Sequence, residues 1–223
     1  LPSNLKIISA TVSEHAGKWF VALQVKEEIP EINKSISVVG MDLGIKNLAV
    51  ISDGTVFPNP QPLKSNLELL KHRSRQLSKK VKGSSNRKKA AKKLAKLHFH
   101  IANIRKDTLH KITTFLTKTK SKIVIEDLNI AGLLKNRNLS MAISDLGLFE
   151  IRRQLEYKGK RYNCEIAIAD RFFPSSKLCS SCGNKKEDLK LSDRVYVCSC
   201  GLEIDRDLNA ALNLANYPQF AGT

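Results

Sequence analysis

The stretch from Arg171 to Asn216, carrying RFFPSSKLCSSCG, VYVCSCG and DRDLNAALNLAN, constrains this chain more than any other. Two cysteine pairs, Cys179/Cys182 and Cys198/Cys200, stand with 15 residues between them. A glycine follows each pair (Gly183, Gly201) and lets the backbone turn back tightly. Thiols paired in this way are predicted to hold a tetrahedral Zn²⁺ as a small ribbon. The second pair is short, Cys198-Ser199-Cys200, where two intervening residues are usual. A site closed by four thiolates is structural and leaves no position for a substrate, so chemistry must be carried elsewhere. The fifth cysteine, Cys164, lies in the apolar run CEIAIA and is assigned to the core. Knuckle-paired cysteines fit a reducing, cytoplasmic setting better than a disulfide framework.

Charge narrows the partners. The chain has 38 Lys and Arg against 21 Asp and Glu over 223 residues, a formal net charge of +17. Such an excess points to a polyanion, most simply nucleic acid. It is also clustered: Leu70 to Lys106 holds 14 Lys and Arg and no Asp or Glu. Leu70, Leu77 and Val81 share one helical face there. Beyond a break at Gly83-Ser84-Ser85-Asn86, so do Ala90, Leu94, Leu97, Ile101, Ile104, Ile112 and Leu116. A helical hairpin over about 64–118 is predicted, with a basic outer face. Lys79, Lys80, Lys82, Arg87, Lys88, Lys89, Lys92, Lys93 and Lys96 are its candidate phosphate contacts. His98 and His100 are read as polar-face residues. No apolar run is long enough to cross a membrane, and no signal-peptide pattern opens the sequence.

The remaining elements follow from periodicity. Residues 5–12 and 19–25 read as a β-hairpin, followed by a charged linker to Lys34. Val38–Asp42, Leu48–Ser52 and a strand from Thr55 form an antiparallel set, ended by Pro58, Pro60 and Pro62. Lys122–Glu126 is a buried strand. Leu128–Leu139 reads as loop, Leu146–Lys160 as a helix burying Leu146, Phe149, Ile151 and Leu155, and 164–170 as another buried strand. Leu208, Ala211, Leu212 and Ala215 mark a last helix. With the ribbon set aside, the order is that of a ribonuclease H-like α/β fold. The expected divisions are a hairpin and linker (1–35), the core (36–170), the ribbon (171–203), the core's last helix (204–217) and a tail (218–223).

Three acids stand out by placement: Asp42 on the first core strand, Glu126 ending the fourth, and Asp207 opening the last helix. Parallel strands joined by a right-handed crossover bring their carboxyl ends together. Carboxylates converging there without histidine suit Mg²⁺ or Mn²⁺, which take further oxygens from water and phosphate. Two such ions activate a water and stabilise the leaving oxygen of a phosphodiester. Asp42 would bridge them, with Glu126 and Asp207 on either side. Asp205 and Arg206 are placed around Asp207, and Asn209 either steadies the site through its amide or packs. Taken singly, Asp42 also suits a turn, and Asp205 or Asp207 a helix cap.

VVGMDLGIKNLAV, IVIEDLNI, DRFFPSSKLCSSCG and CSCGLEIDRDLNAALNLA together resemble the TnpB (OrfB) proteins of insertion sequences, which are similar to the compact type V CRISPR effectors. The resemblance covers about residues 36–217. It implies a RuvC-type mixed sheet with a basic helical insertion and an inserted zinc ribbon. It further implies a transposon-associated nuclease that is guided by RNA and cuts DNA. By position, Asp42, Glu126 and Asp207 would be its catalytic acids and Cys179, Cys182, Cys198 and Cys200 its zinc ligands. Family members carry a longer N-terminal part that grips guide RNA and target. The chain opens at Leu1 with only a closing hairpin, so a truncated form is expected, and a non-cleaving nucleic-acid-binding remnant is the alternative. Asp42 to Asn47 also resembles the first phosphate loop of actin-type phosphotransferases, but no second Gly-rich loop accompanies it. The sequence leaves the oligomeric state open.

Overall fold

The computed structural model describes residues 6–26, 34, 36–190 and 192–217. Most of the expected linker (27–33) and the expected tail (218–223) lie outside the described residues. By its contacts the chain divides into two compact units, Leu1–Glu31 with Gln61–Asp107, and Ile32–Pro60 with Thr108–Thr223.

In the first unit, strands β1 (Lys6–His15) and β2 (Lys18–Lys26) pair antiparallel around Ala16-Gly17. Both turn residues have positive φ, at 55° and 75°, as a two-residue hairpin loop requires. In the second, β3 (Val38–Leu43), β4 (Asn47–Ile51) and β5 (Val56–Pro58) form the expected antiparallel set. The first unit resumes with a short helix, α1 (Pro62–Ser65), then α2 (Leu67–Ser78) and the start of α3 (Ser85–Thr119). Leu70, Leu97 and Ile101 are buried together, with Leu63 and Leu94 packed against them. Val81 is not on that face: it is 77 % exposed in the turn after α2, because the helix stops at Ser78. The guanidinium of Arg87 donates to the carbonyls of Leu77 and Lys80 (both 3.1 Å), tying the end of α2 and its turn to the start of α3.

The end of α3, from Thr108, returns the chain to the second unit, where β6 (Lys122–Glu126) pairs parallel with β3. Then come α4 (Ile130–Lys135), α5 (Ser140–Leu146), α6 (Leu148–Arg161) and β7 (Glu165–Ala169). The expected loop at 128–139 is therefore partly helical. Asn129 caps α4 by accepting the N–H of Gly132 at 3.0 Å. Gly147, at φ 69°, ends α5 and delays α6 to Leu148. Phe149 is 70 % exposed, one position round the helix from the face that buries Leu148, Ile151 and Leu155.

The central sheet has the order β5-β4-β3-β6-β7, with β3, β6 and β7 parallel. One face packs Val39, Met41, Ile123 and Ile125 against Leu109, Ile112 and Leu116 of α3 and Ile151 and Leu155 of α6. Buried Lys158 ties these two helices, donating to the hydroxyls of Thr113 (2.7 Å) and Thr114 (2.8 Å). Strands β8 (Val195–Val197) and β9 (Glu203–Asp205) make a small hairpin, and α7 (Arg206–Ala215) closes the other sheet face. There Leu214 packs with Val124 and Ala169. Gly40 permits that closure: a Cβ would stand 2.0 Å from the Ala211 carbonyl oxygen. This is the ribonuclease H-like arrangement. Among the described residues, no helix is long and apolar enough to cross a membrane.

Candidate active site

Side chains alternate along a strand, so Asp42 shares its face with Gly40, and Glu126 shares its face with Val124. Both faces are the one that α7 covers. The strands run parallel with Met41 beside Ile125, so one residue further on Asp42 stands beside Glu126. The first turn of α7 brings Asp205, Arg206 and Asp207 to the same end of the sheet. Asp205 is the N-cap, its carboxylate accepting the N–H groups of Asp207 (3.0 Å) and Leu208 (3.1 Å). Asp207 is half-buried, with Arg206 3.7 Å away.

The electrostatics show how closely these acids act on one another. Burial pushes the Asp42 carboxyl up to about 8, reinforced by the negative charges of Glu126 and then Asp207. Arg206 opposes the shift, and Asp205 adds least to it. Glu126 is also raised by burial, and a hydrogen bond from the Ser175 hydroxyl holds it part of the way down. Asp127 behaves in the opposite way. Arg171 (2.6 Å) and Arg152 (3.0 Å) each bind one of its oxygens and keep it below the usual carboxylate range. Of the adjacent pair Glu126-Asp127, then, one acid is neutralised by arginines and the other faces further acids. Glu126 lines a cleft of about 340 Å³ with Asp127, Arg171, Phe173, Ser175 and Lys177.

The four cysteines converge as a second cluster. All their sulfurs lie within 4.8 Å of one another, with Cys179–Cys200 at 3.7 Å and Cys182–Cys198 at 3.6 Å. Thiolates about 2.3 Å from one tetrahedral ion stand about 3.8 Å apart, so the donor set fits a metal and is too open for disulfides. The short second pair reaches the cluster as well as the first, because Gly201 turns at φ 92° and donates to the Cys198 carbonyl at 3.0 Å. The thiols titrate together. The backbone N–H of Cys200 heads the interactions that bring Cys198 down to about 6. Against a backbone hydrogen bond from Asn184, desolvation and the neighbouring thiols push Cys182 up to about 12. Among the described residues, no three carboxylates are drawn together as tightly as these thiols.

In the first unit, Lys79, Lys80, Lys82, Lys88, Lys89, Lys92, Lys93 and Lys96 are all exposed, and Arg87 is half-buried where it ties α3 to the end of α2. His98 and His100 are exposed. Residues not singled out from the sequence bind the adjacent acids, Ser175 on Glu126 and Arg152 and Arg171 on Asp127, and Asn213 holds the Ser175 carbonyl. The pair Asn209 and Asn213, four apart on an otherwise apolar helix, is a signal the sequence did contain.

A family model described as "Probable transposase", OrfB_IS605, matches residues 20–137. The chain belongs to this OrfB_IS605 family. A second model, the Cas12f1-like TNB domain, matches residues 149–214. Relatives of this OrfB-type chain include the "Putative RNA-guided DNA endonuclease" of Streptomyces pristinaespiralis, 42% identical over 96% of this chain and 54% of its own length. InsQ of Escherichia coli K12, which carries the same description, is 37% identical over 92% of this chain and 55% of its own length. The chain thus spans about half the length of these relatives. Among solved structures, a Cas12f1–sgRNA–target DNA complex matches 92% of this chain and 55% of the Cas12f1 chain, with a TM-score of 0.58 at 17% identity. A CRISPR-Cas12f ternary complex gives 0.60 at 20% identity over 89% of this chain and 42% of that one. These likenesses establish the RuvC-like fold.

Proposed function

We propose that this chain carries the cleavage centre of a transposon-associated, RNA-guided DNA endonuclease that hydrolyses phosphodiester bonds with Mg²⁺ or Mn²⁺. The observation that carries the reading is the group of partly buried acids on one sheet face, where Glu126 and Asp207 help raise the Asp42 carboxyl to about 8. Without a cation the group relieves this repulsion by keeping a proton on Asp42, and a divalent ion would take that proton's place. Hard oxygen donors without histidine fit a divalent ion of the magnesium class. When bound, such ions supply an activated water and stabilise the leaving oxygen.

Asp42, central to the three, holds the shared side of the site, and Glu126 and Asp207 hold its flanks. Asp207 is preferred to Asp205 because capping already engages the Asp205 carboxylate. Arg206 tempers the charge beside Asp207. Asn209 acts on the ribbon backbone, accepting the Ser180 N–H at 3.0 Å and donating to the Leu178 carbonyl at 2.6 Å. Cys179, Cys182, Cys198 and Cys200 hold a structural Zn²⁺. The exposed lysines of α2, α3 and their connection track the phosphates of DNA or guide RNA, and this contact weakens steeply with salt. Base pairing with the guide, rather than side chains, selects the sequence to be cut.

The relatives' greater length favours one second reading, a chain that binds nucleic acid and does not cut alone. Labelled single-stranded DNA at low salt with Mg²⁺ separates the two. Cleavage by the parent and none by Glu126→Gln supports the nuclease. Binding by both without cleavage supports the second reading, and equal cleavage by both removes Glu126 from the site.

A further inference from the structure

The segment leading into the first cysteine pair is fastened at both ends. At its start, the Ser175 hydroxyl donates to Glu126 Oε1. Ser175 is 2 % exposed, so its hydroxyl is held on the buried side of Glu126, whose carboxylate also faces the cleft. The carbonyl of the same residue accepts Asn213 Nδ2 at 2.8 Å, and that amide also donates to the Leu178 carbonyl at 2.8 Å. Asn209 grips the next stretch at Leu178 and Ser180, on either side of Cys179. Both asparagines are fully buried on α7, the helix whose first turn carries Asp207. Buried amides that each make two or more bonds are costly to misplace, so this segment has little freedom to shift against the helix.

We propose that Ser175 is a positioning residue for Glu126, and that Asn209 and Asn213 lock it to α7, so that the cysteine knuckle and the carboxylate site form one hydrogen-bonded unit. This rests on the carboxylate-metal reading above. Glu126 ends its strand at the rim of a cleft, where a glutamate has several rotamers to lose on taking up a metal. The Ser175 hydroxyl occupies one carboxylate oxygen and fixes the group's direction, leaving the other oxygen for the cation. Partners of this kind, one bond removed from a metal, typically matter about 10- to 100-fold in metal affinity. The cysteine cluster gains a second consequence: the fold it closes also sets where Glu126 points.

The test is Mn²⁺ binding to the zinc-loaded chain, read from the electron paramagnetic resonance signal of free Mn²⁺, with zinc content and DNA affinity measured alongside. The parent, Glu126→Gln, Ser175→Ala and Ser175→Thr are compared. Expected is a half-saturating Mn²⁺ concentration about tenfold higher for Ser175→Ala. Zinc content and DNA affinity stay unchanged, and Ser175→Thr, which keeps the hydroxyl, restores binding to near the parent value. A Ser175→Ala variant that binds Mn²⁺ like the parent, or a Ser175→Thr variant as weak as Ser175→Ala, overturns the proposal and leaves the carboxylate site standing. Equal binding by the parent and Glu126→Gln overturns the carboxylate reading itself, and this inference with it. Should Ser175→Ala shed zinc, the threonine variant decides alone: parent-like binding supports the role and weak binding overturns it.

Discussion

The thiol cluster and the carboxylate cluster lie on neighbouring stretches of one unit and differ in how complete they are. The sulfurs converge at 3.6 and 3.7 Å, held by knuckle backbone and glycine turns. The carboxylates share a sheet face and a helix start, and their charges act against one another. A closed set of donors serves architecture, whereas buried like charges left in tension mark a place where a substrate and its ions complete the structure. Asp127 sharpens the contrast: it is adjacent to Glu126 in sequence, yet two arginines have already neutralised it.

Breaking the thiol side should have the largest effect. A structural zinc in a small ribbon contributes on the order of 10 kcal/mol to its folding. Cys182→Ser is therefore expected to lose zinc and amide-exchange protection across 171–203, while β3, β6 and α3 keep theirs. Retained protection in the ribbon would count against a metal there. On the carboxylate side, Asp42→Asn, Glu126→Gln and Asp207→Asn should each lower metal-dependent cleavage about 10³-fold. Asp205→Ala should lower it less than about tenfold, and cost mainly the cap, about 1 kcal/mol of stability. Reversed ranks for Asp205 and Asp207 in a cleavage assay would exchange their roles.

The third effect is on stability, and its sign is opposite to that of a paired acid. Because the folded Asp42 carboxyl titrates near 8 instead of 3.8, the folded state holds the extra proton between those values. Stability from this group therefore falls as pH rises through that window, and the loss is complete above about 8. In metal-free buffer, Asp42→Asn should stabilise the chain by about 1–3 kcal/mol at pH 8 and by nothing below about pH 4. Thermal melts across that range check it, and a pH-independent difference would mean that Asp42 is not strained. The smallest effect belongs to the lysines. Changing Lys88, Lys89, Lys92 and Lys93 to Gln should flatten the salt dependence of single-strand binding by up to about 3 in log–log slope. The cleavage rate on saturating DNA should barely move.

Much of this was legible in the sequence because periodicity and spacing report regular elements. Strands as apolar as IVIE and EIAIA, the two cysteine pairs and the first β-hairpin stand where their patterns place them. The failures have local causes. Helix α4 has six residues and contains Gly132, so its cap at Asn129 and its packing sustain it rather than its propensity. Val81 fits the helical period but lies beyond the helix end, and the buried stripe of α6 runs through Leu148, Ile151 and Leu155 and passes Phe149 by. Ser175 was invisible because a single hydroxyl in PSSK carries no period, and its meaning comes from a glutamate 49 residues away. That arginines hold Asp127 while Glu126 has only a serine hydroxyl depended on Arg152, Arg171 and Ser175, whose positions only the tertiary fold supplies.

The comparison of the two clusters is tested most directly by anomalous diffraction from crystals of the zinc-loaded chain grown with Mn²⁺. Measuring on both sides of the zinc and manganese edges tells the two metals apart. The account predicts zinc among Cys179, Cys182, Cys198 and Cys200, and manganese bounded by Asp42, Glu126 and Asp207. Manganese absent from the carboxylates at saturating concentration, with zinc present at the thiols, would contradict it.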